Sequence, residues 1–185
     1  MIYFISDLHF NHDREFIWGP RGYKSCKEMN EDLLKKWTKT IGPNDDIYVV
    51  GDFFLGPDND FVKRTLATLP GRIHVIIGNH DTPAKVAIYK QAKNVVEVAW
   101  ATQIEYRNRK LYINHYPTET ASLESNPKFA VINVSGHTHK TEKFHEGKPF
   151  KYNVAVDAHN GYPVSIDQLI DDVEKEIKEC FKYLV

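Results

Sequence analysis

Cysteine is scarce in this chain of 185 residues. There are two, Cys26 and Cys180, far apart and in no paired spacing. That excludes a zinc–thiolate site and a disulfide framework, and it predicts free thiols in a reducing, cytoplasmic setting. An excess of charge is missing as well: 24 Lys and Arg stand against 25 Asp and Glu, a formal net charge of -1. No broad cationic field for extended nucleic acid is therefore indicated, although a nucleotide-sized substrate remains compatible. No apolar run approaches membrane-spanning length, and the chain opens on a strand pattern, which predicts no signal peptide. The 10 Gly and 9 Pro form no linker or low-complexity tract, and no internal repeat is visible. The length predicts a single domain, residues 1–185, with a sizeable core.

What the chain does have is a recurring arrangement. Arg72-Ile73-His74-Val75-Ile76-Ile77 is a short run rich in β-branched residues that reads as a buried strand, and it ends in Gly78-Asn79-His80-Asp81. The glycine permits a sharp turn or close approach to a ligand. The amide, imidazole and carboxylate after it are metal-binding or proton-carrying groups. Ile2-Tyr3-Phe4-Ile5 likewise runs into Ser6-Asp7-Leu8-His9, and Ile47-Tyr48-Val49-Val50 into Gly51-Asp52. Leu111-Tyr112-Ile113 runs into Asn114-His115, and Val131-Ile132-Asn133-Val134 into Ser135-Gly136-His137-Thr138-His139. Each piece alone has an ordinary explanation; a lone Gly-Asp after a strand is most often a turn. Five in order are another matter. If the runs are neighbouring strands of one sheet, their ends converge on one edge, where chemistry is usual in α/β sheets. Carboxylates gathered there repel one another unless cations lie between them.

In order and spacing these motifs resemble the calcineurin-like metallophosphoesterases, whose pattern is D-x-H, G-D, G-N-H-D/E, a lone His, and G-H-x-H. The likeness runs from Asp7 to His139 and is nearest to the small single-domain bacterial and phage members. It implies an α/β sandwich of two facing mixed sheets flanked by helices. It implies that Asp7, His9, Asp52 and His139 hold one divalent metal and that Asp52, Asn79, His115 and His137 hold a second. The mixed N and O ligands suit Mn²⁺, Fe, Zn²⁺, Ni²⁺ or Co²⁺. Two such ions, about 3.5–4 Å apart, lower the pKa of a bridging water that attacks phosphorus and clamp the phosphate oxygens. His80 has no metal role in this scheme and is the candidate acid for the leaving group. In the protein Ser/Thr phosphatases of the family G-D continues as G-D-x-x-D-R-G; here it continues as Phe53-Phe54-Leu55-Gly56. The resulting expectation is a phosphodiesterase acting on a small phosphoester or nucleotide-like substrate. The alternatives are a nuclease or phosphomonoesterase of the same superfamily, or a non-catalytic protein-binding scaffold.

The remaining segments complete the reading. Residues 10–25 form a loop containing His12, Arg14, Trp18, Arg21 and Tyr23. Its aromatics either pin it to the body or face a ligand, and Arg14, Trp18 and Tyr23 are the candidate substrate wall. Residues 27–41 carry a helical apolar stripe, with Trp37 in the core. Residues 61–69 read as a helix, and Thr82-Pro83 starts another running to about residue 93. Strands are expected at residues 95–98, 102–106 and 110–114, with Asn108 in a hairpin turn. Tyr116, held extended by Pro117, either lines the pocket or packs. A hairpin is expected at residues 146–149, with His145 facing solvent, followed by a strand at 153–157. His159 is not expected to be a ligand. Ser165 and Gln168 make a capping-box start for a last helix whose docking face holds Ile166, Leu169, Ile170, Val173, Ile177, Phe181 and Leu184.

Overall fold

The structure, a computed structural model, describes residues 1–122 and 125–182. Among these residues nine strands form two mixed sheets. The first contains β1 (Ile2–Ile5), β2 (Asp46–Val50), β3 (Arg72–Ile76), β4 (Val95–Ala99) and β9 (Val164–Ser165), in the order β4-β3-β2-β1-β9. β1 to β4 are parallel and β9 is antiparallel to β1. The second contains β5 (Ala101–Tyr106), β6 (Arg109–Asn114), β7 (Ile132–Ser135) and β8 (Lys151–Asn153), in chain order. The β5–β6 hairpin turns on Arg107 and Asn108, both at positive φ, as a tight two-residue turn requires.

The alternation of side chains along the first sheet divides the core in two. Ile5, Ile47, Val49, Ile73 and Val75 point to one face, where α2 (Cys26–Thr40), α3 (Asn59–Thr68) and α4 (Pro83–Tyr89) cover them with Met29, Leu33, Trp37, Leu66 and Ile88. Phe4, Tyr48, Val50 and Ile76 point to the other face. There they join Leu111, Ile113, Ile132 and Val134 of the second sheet and the apolar stripe of α5 (Ile166–Phe181). The starts of α2, α3, α4 and α5 are capped by side chains. Ser25, Asp58, Thr82 and Ser165 each accept from the backbone N–H three residues on. Leu184, expected on the face of α5, lies outside the described residues.

Four expectations are corrected. α4 ends at Tyr89 rather than near residue 93. Asn94 there donates to the Leu66 and Leu69 carbonyls and turns the chain into β4. The 10–25 loop contains one helical turn, α1 (Glu15–Trp18). His145 is buried, 3% exposed, because Glu146 and Gly147 turn at positive φ and fold the ring inward beneath Thr138. The strand expected at 153–157 divides: β8 pairs with β7, and Ala155 then bridges to Ser6 at the end of β1.

That division ties the sheets together. Val154 N–H donates to the Ser135 carbonyl of the second sheet, and its carbonyl accepts from Ser6 N–H of the first. The motif-bearing ends of β1 and β7 are thereby held side by side, so the five motif-bearing strands meet from two sheets rather than along one edge.

Candidate metal centre

Beyond the ends of β1 and β2 the two chains stay paired. Asp7 N–H donates to Gly51 O, His9 N–H to Asp52 O and Phe10 N–H to Phe53 O. This carries Asp7, His9 and Asp52 forward together. Asp7, His9, Asp52, His137 and His139 all have φ between 48° and 71°, a left-handed conformation that non-glycine residues rarely adopt. Such strain persists only where the surroundings over-determine it, and it clusters at functional sites. The glycines beside these residues leave room for the approach. A Cβ on Gly136 would overlap Ser6 Oγ and Asp7 Oδ2, and one on Gly78 would overlap Asp52 Oδ1.

Two groups of potential ligands overlap. Asp7, His9 and His139 converge, and so do Asp7, Asp52 and His115. In the first, His9 Nε2 and His139 Nε2 face each other at 3.1 Å, with Asp7 Oδ1 3.6 Å from His139 Nε2. Asp52 Oδ2 lies 3.5 Å from His9 Nε2 and 3.4 Å from His115 Nε2, so one carboxylate oxygen serves both sides. On the second side Asn79 Oδ1 is 2.9 Å from His115 Nε2 and 3.0 Å from His137 Nδ1. His115 Nδ1 points at the Val50 carbonyl, 3.0 Å away, and a carbonyl only accepts. The proton therefore sits on Nδ1, which leaves Nε2 as the atom that would ligate a cation.

The electrostatics fit a cation. Asp7 and Asp52 are 0% and 1% exposed. Burial outweighs the imidazoles and hydrogen bonds around Asp7 and raises its pKa. Burial also opposes ionisation of Asp52, but hydrogen bonds and charge from His115, the His80 N–H and His9 win, and its pKa falls to about 2. Burial drives His9 down to about 3, so its ring is neutral and offers one nitrogen lone pair. Facing imidazole nitrogens, buried carboxylates and an amide oxygen form a nitrogen–oxygen donor set for a divalent transition metal, with no thiolate among them.

His80 belongs to neither group. Its backbone N–H donates to Asp52 Oδ1 at 2.9 Å, and its half-buried ring lies edge-on to His9, centroids 5.3 Å apart. The three proposed wall residues separate. Arg14 is exposed, whereas Trp18 and Tyr23 pack against the core, with the Tyr23 hydroxyl donating to Asp32 at 2.5 Å. His159 points away from the cluster; its Nε2 lies 2.7 Å from the Asn153 carbonyl.

Supporting residues went unrecognised in the sequence. Asp81 accepts from the N–H groups of Gly78, Asp52 and Phe53 and from the Tyr89 hydroxyl, stitching the end of β2 to the end of β3. The acid closing the G-N-H-D motif was its only signal. Arg21 grips both oxygens of Asp157 at 2.9 Å and donates to the Asp7 carbonyl at 2.8 Å. Asp157 Oδ2 is 3.3 Å from His139 Nδ1. Burial depresses the His139 pKa, but the Asp157 hydrogen bond with the Asp7 and Asp157 charges raises it overall. Asp157 and Arg21, whose Nη2 is 3.2 Å from the same nitrogen, together back His139 where outer-shell groups stand behind ligating histidines.

Two mixed sheets delivering Asp, Asn and His side chains to one point define a metal-site α/β sandwich. The chain belongs to the calcineurin-like phosphoesterase superfamily, whose domain model matches residues 1–155. It is 30% identical over 179 residues to an uncharacterized protein of Methanocaldococcus jannaschii, covering 94% of this chain and 92% of that one. It is 23% identical to the gene 66 protein of Mycobacterium phage D29, over 94% and 98% of the two chains. Its fold is similar to that of a protein of unknown function from Aquifex aeolicus, with a TM-score of 0.68, 24% identity and coverage of 94% and 98%. Among the described residues no helix is long and apolar enough to cross a membrane.

Proposed function

We propose that this chain is a metal-dependent phosphodiesterase that acts in the cytoplasm on a small phosphoester or nucleotide-like substrate. The observation that carries this reading is the position of Asp52 Oδ2, 3.5 Å from His9 Nε2 and 3.4 Å from His115 Nε2. Asp7, His9 and His139 would hold one divalent ion and Asn79, His115 and His137 a second, with Asp52 common to both. Mn²⁺ is the first candidate, followed by Fe, Zn²⁺, Ni²⁺ and Co²⁺. Ions bound there would supply Lewis acidity, lowering the pKa of water and drawing charge from phosphoryl oxygens.

The chain's own residues do the rest. The left-handed positions and the Asp81 and Arg21–Asp157 contacts hold the ligand side chains before substrate arrives, so little reorganisation is required. His80, anchored through its backbone to Asp52 and with its ring outside both ligand groups, donates a proton to the departing oxygen. An alkoxide needs that proton, and general acid help of this kind gives about 10²–10⁴-fold. A monoester dianion would instead call for an extra cation. Where the protein phosphatases carry the Asp and Arg of G-D-x-x-D-R-G, this chain has Leu55 and Gly56. Diesters are therefore the favoured substrates.

The test is turnover of phosphomonoesters, phosphodiesters, cyclic nucleotides and short nucleic acids with added Mn²⁺, with chelator-treated protein as control. His80→Ala should keep its metal, slow alkyl diesters by about 10²–10⁴-fold and slow nitrophenyl diesters far less, since nitrophenolate leaves without a proton. A clear preference for simple monoesters overturns the diester assignment. Equal losses on both diester types remove His80 from the acid role.

A further inference from the structure

We infer that Phe16 and Tyr116 are two aromatic subsites at opposite ends of the imidazole array, each taking a flat ring from one arm of a phosphodiester. This deepens the phosphodiesterase reading and rests on it. The substrate class is a diester with a nucleobase or aryl group on each side of the phosphate, such as a dinucleotide.

Phe16 is 70% exposed and Tyr116 46%. Single exposed rings are common and call for no explanation. Phe129 and Trp100 are as open as Phe16, yet among the described residues neither ring meets an imidazole of the site. Tyr116 meets them directly, and Phe16 meets His12, whose ring in turn lies beside His9 and His80. Phe16 stands perpendicular to His12, centroids 5.6 Å apart, and His12 is 5.5 Å from His9 and 6.5 Å from His80. Tyr116 lies edge-on to His115 at 5.1 Å and to His137 at 4.8 Å. One ring thus borders the His9 and His80 end and the other the His115 and His137 end. Asp52 Oδ2 lies between His9 and His115.

Both rings are held by their neighbours. In α1, Ile17 and Trp18 pack into the core and leave Phe16 on the outside. Tyr116 is followed by Pro117, which restricts its backbone. The Thr118 hydroxyl donates to the Tyr116 carbonyl at 3.0 Å and accepts from Asn114, while Thr118 N–H donates to Asn133 Oδ1 at 2.9 Å. Rigid aromatics supply contact area at low entropic cost. Every nucleobase presents a face for stacking, so two such platforms favour flat arms without dictating base sequence. A monoester has one arm and would occupy one platform.

The experiment compares bis(p-nitrophenyl) phosphate with methyl p-nitrophenyl phosphate, which share a leaving group and differ in the second arm. It uses wild type, Phe16→Ala, Phe16→Leu and Tyr116→Ala in Mn²⁺. Calorimetric binding of a dinucleotide and of dimethyl phosphate to the same metal-loaded proteins accompanies it. The wild type should prefer the two-ring diester and the dinucleotide. Each alanine variant should lose about 5–100-fold of that preference, the range expected for one base–aromatic stack, mainly through KM. Phe16→Leu should fail to restore it, and metal content should be unchanged. A wild type that turns over both diesters equally well and binds both ligands equally overturns the inference while the phosphodiesterase reading stands. Ring-dependent binding without turnover of any diester sinks the enzyme reading and keeps the subsites. Equal losses on one-ring and two-ring substrates overturn the inference, because the rings would then serve only to position the centre.

Discussion

His145 offers a stability test that is independent of catalysis. Burial pulls its pKa from 6.5 down to about 4, with Lys151 and Lys140 adding to the effect and the Ser135 backbone and Glu146 opposing it. Its Nε2 is buried without a partner, and its Nδ1 meets the Thr138 hydroxyl at 3.3 Å. Below pH 6.5 the unfolded chain takes up a proton that the folded chain refuses. Stability is therefore complete above about pH 6.5 and is lost as the pH falls toward 4. Linkage with these two values gives a loss of about 2 kcal/mol between pH 7 and pH 5. At this chain length that corresponds to roughly 4–8 °C in Tm. The perturbation is His145→Leu, which removes the titrating group, keeps the volume and forfeits the contacts to Thr138 and the Ser135 backbone. Urea unfolding of chelator-treated wild type and variant at pH 7, 6 and 5 isolates the term, because every other histidine is common to both. The variant should gain about 2 kcal/mol relative to wild type between pH 7 and pH 5. Parallel pH profiles for the two proteins would refute the reasoning.

Three further outcomes are expected. Asp157→Asn keeps the shape behind His139 but removes the charge that orients it. Metal affinity should fall by about 10–100-fold, and unchanged affinity in a folded variant counts against the orienting role. Gly136→Ala forces a Cβ into Ser6 and Asp7. It should cost about 1–3 kcal/mol and reduce bound metal, so wild-type Tm and metal content in the variant would show that the loop yields freely. Trp18→Ala separates an anchor from a substrate wall: the packing seen here favours a loss of about 2 kcal/mol in stability with an unchanged KM. A raised KM with an unaltered Tm would restore Trp18 to the wall.

Much of the candidate site was legible because its signals are local. Each candidate ligand follows a short apolar run by two to five positions, and a β-strand ending in Asp, Asn or His can be read without knowing its neighbours. The helix starts were legible for the same reason: Thr82-Pro83 and Ser165 with Gln168 act within one turn. What failed depended on distant partners. His145 looked like a solvent-facing hairpin residue because nothing near it in sequence announces that a positive-φ turn folds it under Thr138. Arg21 and Asp157 were invisible as a pair, since a salt bridge across 136 positions leaves no periodic trace. Trp18 and Tyr23 had the composition of either a binding wall or anchors, and their packing against the core is a contact that no local pattern announces.

The sequence by itself determined the strands, their polar ends and hence the inventory of candidate ligands, because periodicity and chain-end chemistry operate over a few residues. The tertiary structure alone decided that those ends meet from two sheets. The segment after β8 leaves β7 and bonds to Ser6, and the pairing of residues 7–10 with residues 51–53 carries Asp7 and His9 alongside Asp52. Which imidazole nitrogen faces the cluster, which carboxylates are dry and which aromatics stay open are likewise properties of packing. They arise from desolvation and backbone pairing between segments far apart in the chain, which no local pattern encodes.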